Sequence, residues 1–280
     1  MTLEKLLSEL HFDPTTQTGV VERIQKDRAA VSRIAETAYR GSSDSFPLCA
    51  EDPLTRLAVV TVLLIRKYDA YRAIGVSERI IFDTFQDVPL RADLYRRQHG
   101  RIGLSEDDVI WFRHLMNICI FQIGVLQFQK FEMIYLDEAT IGEAYMEFSV
   151  QQKQVLPNGT PVINCHIQKN ADLRPSMVKH SFEEAKRFFT ETFPSVEYQA
   201  FLCYSWLLYP PMLQMLSPTS NIRQFAEHFT IIGACADSEQ AMENLFPAIP
   251  PGTDHKPTSL QKLAKAHPER FGFGCGIRLI

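Results

Sequence analysis

Long hydrophobic runs, paired cysteines and excess positive charge are all scarce in this 280-residue sequence. The longest apolar-looking stretch, Leu57 to Ile65 with Thr61 inside it, is far short of the ~20 residues a membrane-spanning helix requires. The opening residues, MTLEKLLSEL, carry two glutamates and no apolar core segment, which excludes a signal peptide and predicts a cytoplasmic protein. The six cysteines (Cys49, Cys119, Cys165, Cys203, Cys235 and Cys275) are scattered, without a single C-x-x-C pair. Most lie inside apolar runs, where a free thiol acts as a small hydrophobe. Reduced cysteines and no metal site are the expectation, because no ligand cluster has zinc-type spacing. A net charge of -4 and a pI of about 6.1 supply no field to recruit nucleic acid or an anionic membrane.

What the sequence has in quantity is apolar and aromatic side chains, 45% and 11% of the total, enough for a sizeable core. Up to about residue 120 their spacing is helical. In TGVVERIQKDRAAVSRIAETAYRG, the residues Val20, Ile24, Val31, Ile34 and Ala38 share one face, with charges opposite. The pattern predicts one helix there, stopped by Gly41 and the polar GSSDS. DPLTRLAVVTVLLIRKYDAYRAIG reads as a second helix, apolar nearly all round and therefore buried. Ser77 is a candidate cap for a third, with Pro89 expected to bend or break it. Ser105 and Asp108 have the spacing of a capping box at the start of a fourth.

The period then changes. GVLQFQKFEM alternates, as a strand does. AYMEFSVQQKQV alternates in part and is followed by Asn158-Gly159, a hairpin-turn signal, so it too is expected to be a strand. VINCHIQ reads as its partner. PSMVKHSFEEAKRFFTETF is an amphipathic helix with Pro175 in its first turn, where the missing donor costs little. YQAFLCYSW, FTIIGACA and the closing FGFGCGIRLI read as strands; SNIRQFAEHF, DSEQAMENLF and TSLQKLAKAH read as helices, Ser220 and Thr258 being candidate caps. The alternating Gly272, Gly274 and Gly276 invite a phosphate-loop reading. A nucleotide loop must open a helix, however, and here the chain has four residues left, so close packing of a terminal strand is the better reading.

The segments YRRQHGRIGL, GVLQFQ, INCHIQ, CYSWLLYPPM and SPTSNIRQF give the chain a family likeness. It resembles a bacterial family of acyltransferase-domain proteins with a helical N-terminal domain and a C-terminal domain like the acyl-CoA N-acyltransferases (GNAT). The fold class implied is α+β, with a helical domain over 1–120 and a GNAT-like mixed-sheet domain over 121–280. Val125 and Gln129 stand where the family pattern has an arginine and an acid. The resemblance implies acyl-CoA as co-substrate, lying where two parallel strands, 162–168 and 198–206, splay apart, with its pyrophosphate at the start of the helix near Pro175. The glycine loop usual at that point is absent from KNADLRPSMVKHS, so Arg174 and Lys179 become the candidate phosphate contacts, with Asn221 facing the pantetheine end.

The remaining candidates surround the same cleft. His166 shares a strand face with Val162, Asn164 and Gln168, and an imidazole titrating near pH ~6.5 is suited to take a proton from an ammonium. Tyr204 and Tyr209 are candidates to protonate the leaving thiolate, while Gln127, Ser205 and Trp206 are candidate substrate contacts. Each also has a structural reading: a half-solvated strand face for His166, core or rim packing for the tyrosines and Trp206, and a first-turn position for Asn221. Two functions remain open at this point. One is an acyltransferase acting on an amine or other small-molecule acceptor; the other is a GNAT-shaped small-molecule or protein-binding module without CoA-dependent activity. A homo-oligomer is compatible with either.

Overall fold

The computed structural model describes residues 1–41, 45–247 and 256–280. The chain divides into two compact units, Met1–Phe121 and Gln122–Pro247, the latter joined by the described residues 256–280. Among the described residues the first unit is helical, the first strand beginning only at its end, at Ile120.

Among the described residues the first unit contains seven α-helices, α1 (Leu3–Glu9), α2 (Pro14–Lys26), α3 (Arg28–Thr37), α4 (Pro53–Ala73), α5 (Glu78–Phe85), α6 (Asp87–His99) and α7 (Glu106–Met116), and a short 3-10 helix, Pro47–Ala50. The single helix expected over 18–41 is two, parted at Asp27, whose backbone leaves helical geometry (φ -119°, ψ 32°). Residues 42–44 of the expected stop signal lie outside those described. Helix α4 is buried along Leu57–Thr61, Leu63 and Leu64, as its all-round apolar sequence requires. The break expected at Pro89 falls three residues earlier. Proline sits in the first turn of α6, where its missing N–H is one of the helix's unused donors. The Ser105–Asp108 capping box is formed in both directions, and Ser77 caps α5.

The second unit is built on a six-stranded mixed sheet in the order β1-β2-β3-β4-β6-β5. Its elements are β1 (Ile120–Ile123), β2 (Leu126–Glu132), α8 (Glu138–Ile141), α9 (Val150–Val155), β3 (Pro161–His166), α10 (Pro175–Thr192), β4 (Ala200–Ser205), α11 (Pro210–Met215), α12 (Asn221–Ala226), β5 (Thr230–Cys235), α13 (Glu239–Leu245), α14 (Ser259–Ala266) and β6 (Phe273–Leu279). The strand expected over 144–155 is not formed. Ser149 and Gln152 make a capping box, and the Gln-Gln-Lys-Gln run behind it consists of helix formers without a β-branched residue. The segment instead brings Met146 and Phe148 onto the sheet beside Tyr135 and Leu156. β2 is the strand that pairs with β3, antiparallel, with Gln127 opposite His166 and Gln129 opposite Asn164.

Helix α10 covers the other face through Val178, Phe182, Ala185 and Phe189, the 3–4 spacing of a buried stripe. Phe182 meets Phe128, Phe201 and Phe229 edge-on, with ring centroids 5.0–5.7 Å apart. The alternating glycines of the last strand permit close packing. A Cβ on Gly274 would lie 2.6 Å from the Leu208 carbonyl oxygen, and one on Gly276 2.8 Å from Phe229 Cβ.

Candidate functional site

β3 and β4 are neighbouring and parallel, joined through α10, and their pairing is short. Val162 faces Ala200, Ile163 faces Phe201 and Asn164 faces Leu202. β3 then continues to His166 and β4 to Ser205, with no further rung between them among the described residues. Each strand stays anchored by its other neighbour, β3 by β2 as far as His166 and β4 by β6 as far as the Ser205–Gly274 pair. The result is a fixed parting of two strands at their C-terminal ends.

Alternation decides what each side of this parting presents. Gln127, Gln129, Asn164 and His166 fall on one face. His166 Nε2 lies 2.7 Å from Gln129 Oε1. The contact ties the imidazole to the Gln129 side chain across the β2–β3 pair. Gln127 and Asn164 are 1% and 8% exposed, and neither Gln127 Nε2 nor Asn164 Oδ1 has a hydrogen-bond partner. Tyr204 lies on the same face, its hydroxyl donating to the Ile134 carbonyl at 2.7 Å. Burial, reinforced by Cys275, pushes its pKa far upward. The Phe273 ring has Tyr204 on one side, 6.2 Å between centroids, and Tyr145 at 6.3 Å. Tyr145 donates to Asp237 Oδ2 at 2.5 Å, a bond that holds the Asp237 carboxyl below its usual range.

On the opposite face, Cys165 and Cys203 occupy the first position beyond the last rung, and both are buried. The neighbouring Cys165 thiol, followed by burial, raises the Cys203 pKa well above the ordinary thiol value. A thiol so held is no nucleophile.

The other candidates disperse. Ser205 is buried on the opposite face, where its hydroxyl accepts from the Leu207 amide at 3.1 Å. Trp206 and Tyr209 join an apolar cluster with Met212, Leu245 and Phe271. Asn221 is an exposed first residue of α12. Arg174 is the N-cap of α10 without a side-chain capping bond, and its guanidinium forks onto Asp172, with Nε to Oδ2 at 2.7 Å. Lys179 pairs with Glu183 at 3.8 Å across one helical turn. A groove of about 770 Å³ at the other end of β3 is lined by residues including Lys130, Met133, Pro161 and Tyr198, and by none of the candidates.

Asn164 and Gln129 were not singled out as site residues from sequence. The same two-residue alternation that marks His166 includes Asn164. Gln129 was legible only as a replaced acid, because its contact to His166 crosses between strands. Among the described residues no group of three His, Cys, Asp or Glu side chains is placed to hold a metal ion, and no helix is long and apolar enough to cross a membrane.

Comparison with known proteins gives two family matches: an N-acyltransferase N-terminal domain over residues 1–117 and a GNAT-like C-terminal domain over residues 120–272. No curated protein matches the chain. Among solved structures, it is similar to an acyltransferase mutant in complex with octanoyl-CoA, with a TM-score of 0.74 at 17% identity, covering 99% of this chain and 87% of that one. An acyltransferase in complex with decanoyl-CoA and teicoplanin aligns with a TM-score of 0.72 at 17% identity over the same shares. An acyltransferase in complex with decanoyl-CoA gives 0.72 at 18%, covering 99% and 86%. At these identities the likeness is one of fold. The matched domain spans more than half of the sequence, and the chain belongs to the family of proteins with a GNAT-like C-terminal domain.

Proposed function

We propose that this protein is an acyl-CoA-dependent N-acyltransferase of two domains, a helical one over 1–120 and the transfer domain over 121–280. The observation that carries the reading is the parting of β3 and β4 beyond Asn164 and Leu202, directly upstream of a long helix. A thioester arm laid between the strands meets backbone groups that neither strand uses for the other. The start of α10 directs its first-turn amides and its dipole toward an anion. Without a glycine loop, the phosphates draw their charge from side chains, Arg174 first and Lys179 second. Asn221 is assigned to the pantetheine end.

In the transfer step the acceptor nitrogen attacks the thioester carbonyl and a C–N bond forms. The C–S bond breaks, the thiolate leaves as CoA, and the ammonium proton passes to His166, oriented through Gln129. Positioning alone contributes on the order of 7 kcal/mol or more to such a reaction, so no covalent enzyme intermediate is needed. Gln127 is assigned to the substrate. Ser205, Trp206 and Tyr209 support the cleft wall, and Tyr204, committed to the Ile134 carbonyl, positions that segment.

The test is isothermal calorimetry with CoA, octanoyl-CoA and decanoyl-CoA, followed by an assay of free thiol release with small amines. Saturable binding and amine-dependent thiol release are the expected results. A binding module without CoA is the competing reading, favoured by the ion pairs that already engage Arg174 and Lys179. Absence of CoA binding would establish it instead.

A further inference from the structure

We propose that Gln127 and Asn164 form the recognition site for the acceptor, and that the acceptor is an amine with a hydrogen-bond-accepting oxygen on the adjacent carbon. This rests on the transfer reading of the same site. Two buried polar groups without partners are expensive, each on the order of 1–3 kcal/mol, and apolar residues of the same shape would be neutral or better. The two groups here are unlike and complementary: Gln127 Nε2 is a donor and Asn164 Oδ1 an acceptor. They project from adjacent strands onto one face, in diagonal positions, since Gln127 faces His166 and Asn164 faces Gln129. Diagonal neighbours have their Cα atoms roughly 7–8 Å apart. The two side chains form no hydrogen bond with each other, so what joins them must present an acceptor to one and a donor to the other.

An amine N–H meets Asn164 Oδ1, and an oxygen one carbon away accepts from Gln127 Nε2. His166 lies directly opposite Gln127 in the ladder and two residues along the strand from Asn164. An amine held by Asn164 is thereby placed next to the imidazole that takes its proton. A site built to hydrogen-bond a substrate oxygen discriminates strongly against the analogue lacking it, because the buried donor is then left unmet. A simple alkylamine is therefore a poor acceptor.

The experiment compares 2-aminoethanol and serine amide with n-propylamine as acceptors for octanoyl-CoA, in the wild-type chain and in Gln127→Met and Asn164→Leu. The oxygen-bearing amines are expected to give kcat/KM at least tenfold above propylamine, mainly through KM, and both variants to erase that ratio. Both variants are also expected to raise the melting temperature of the ligand-free protein. An equal kcat/KM for all three amines in the wild-type chain overturns the proposal. So do variants that lower the melting temperature and keep the ratio, which would mean a buried water bridges the pair. A second arm, thermal shift with the same amines and no acyl-CoA, separates this proposal from the transfer reading. Stabilisation by the amino alcohol beyond that by propylamine, lost in both variants, supports the site even if no CoA binds. Equal shifts there overturn it even if transfer occurs.

Discussion

Asn164 and Leu202 face each other in the last rung between β3 and β4, and one residue further along the ladder has ended, with Cys165 and Cys203 buried on the opposite face. The parting of the strands therefore has a different character on its two faces. One is dry and sealed by the Phe182 cluster; the other carries the amides and the imidazole. The polar side chains of β2 and β3 beside the parting, Gln127, Gln129, Asn164 and His166, all lie on the second face.

Replacing His166 with glutamine should lower kcat by about 10²–10⁴, the range for a general base, while the dissociation constant for acyl-CoA changes little. Gln129→Leu, which removes the contact to Nε2, should shift the pH profile of kcat rather than abolish turnover. A His166→Gln variant with wild-type kcat would remove the imidazole from the mechanism.

Arg174 and Asp172 should act on CoA in opposite directions. Arg174→Ala is expected to weaken CoA binding by roughly three- to tenfold, an effect that diminishes in high salt. Asp172→Asn releases the guanidinium from its fork and should strengthen binding. Calorimetry at two ionic strengths measures both, and affinity unchanged in each would locate the phosphates away from the start of α10.

Gly274→Ala tests the close approach beneath the last strand. The added methyl would press on the Leu208 carbonyl, a backbone atom that cannot rotate away. The expected loss is about 1–3 kcal/mol or more, the usual range for overpacking, read as a lower urea midpoint at constant slope. A stability equal to wild type would mean that the 206–208 turn yields easily.

Burial, aided by the neighbouring Arg113, pushes the His114 pKa down to about 4. The folded state thus holds the ring neutral while the unfolded chain protonates it near pH ~6.5. Its contribution to stability is complete above that value and is lost as the pH falls toward 4. Between pH 7.5 and 4.5 the wild-type protein should lose on the order of 2 kcal/mol more than a His114→Asn variant. Parallel urea titrations decide this, and identical losses would show that the ring is protonated in the fold as well.

Local chemistry was legible in the sequence wherever one segment sufficed to determine it. The capping boxes at Ser105 and Thr258, the proline-led start of α10 and the alternation of β2 and β3 all depend on residues within a few positions of each other. The close-packing role of the last glycines was legible too, because Gly272, Gly274 and Gly276 alternate with Phe271, Phe273 and Cys275 as the residues of a strand do. Where neighbours compete, the sequence was ambiguous. Residues 144–155 alternate weakly, yet Ser149 and Gln152 cap a helix there, and β2 takes the place beside β3 that this segment was expected to fill. The site itself belongs to the tertiary structure. Gln127, Gln129, Asn164 and His166 come from two stretches more than thirty positions apart, and only the register between β2 and β3 sets Gln129 on the imidazole and leaves Gln127 and Asn164 without partners. Hydrogen bonds across strands depend on that register, and a shift of one residue would have turned all four side chains to the other face.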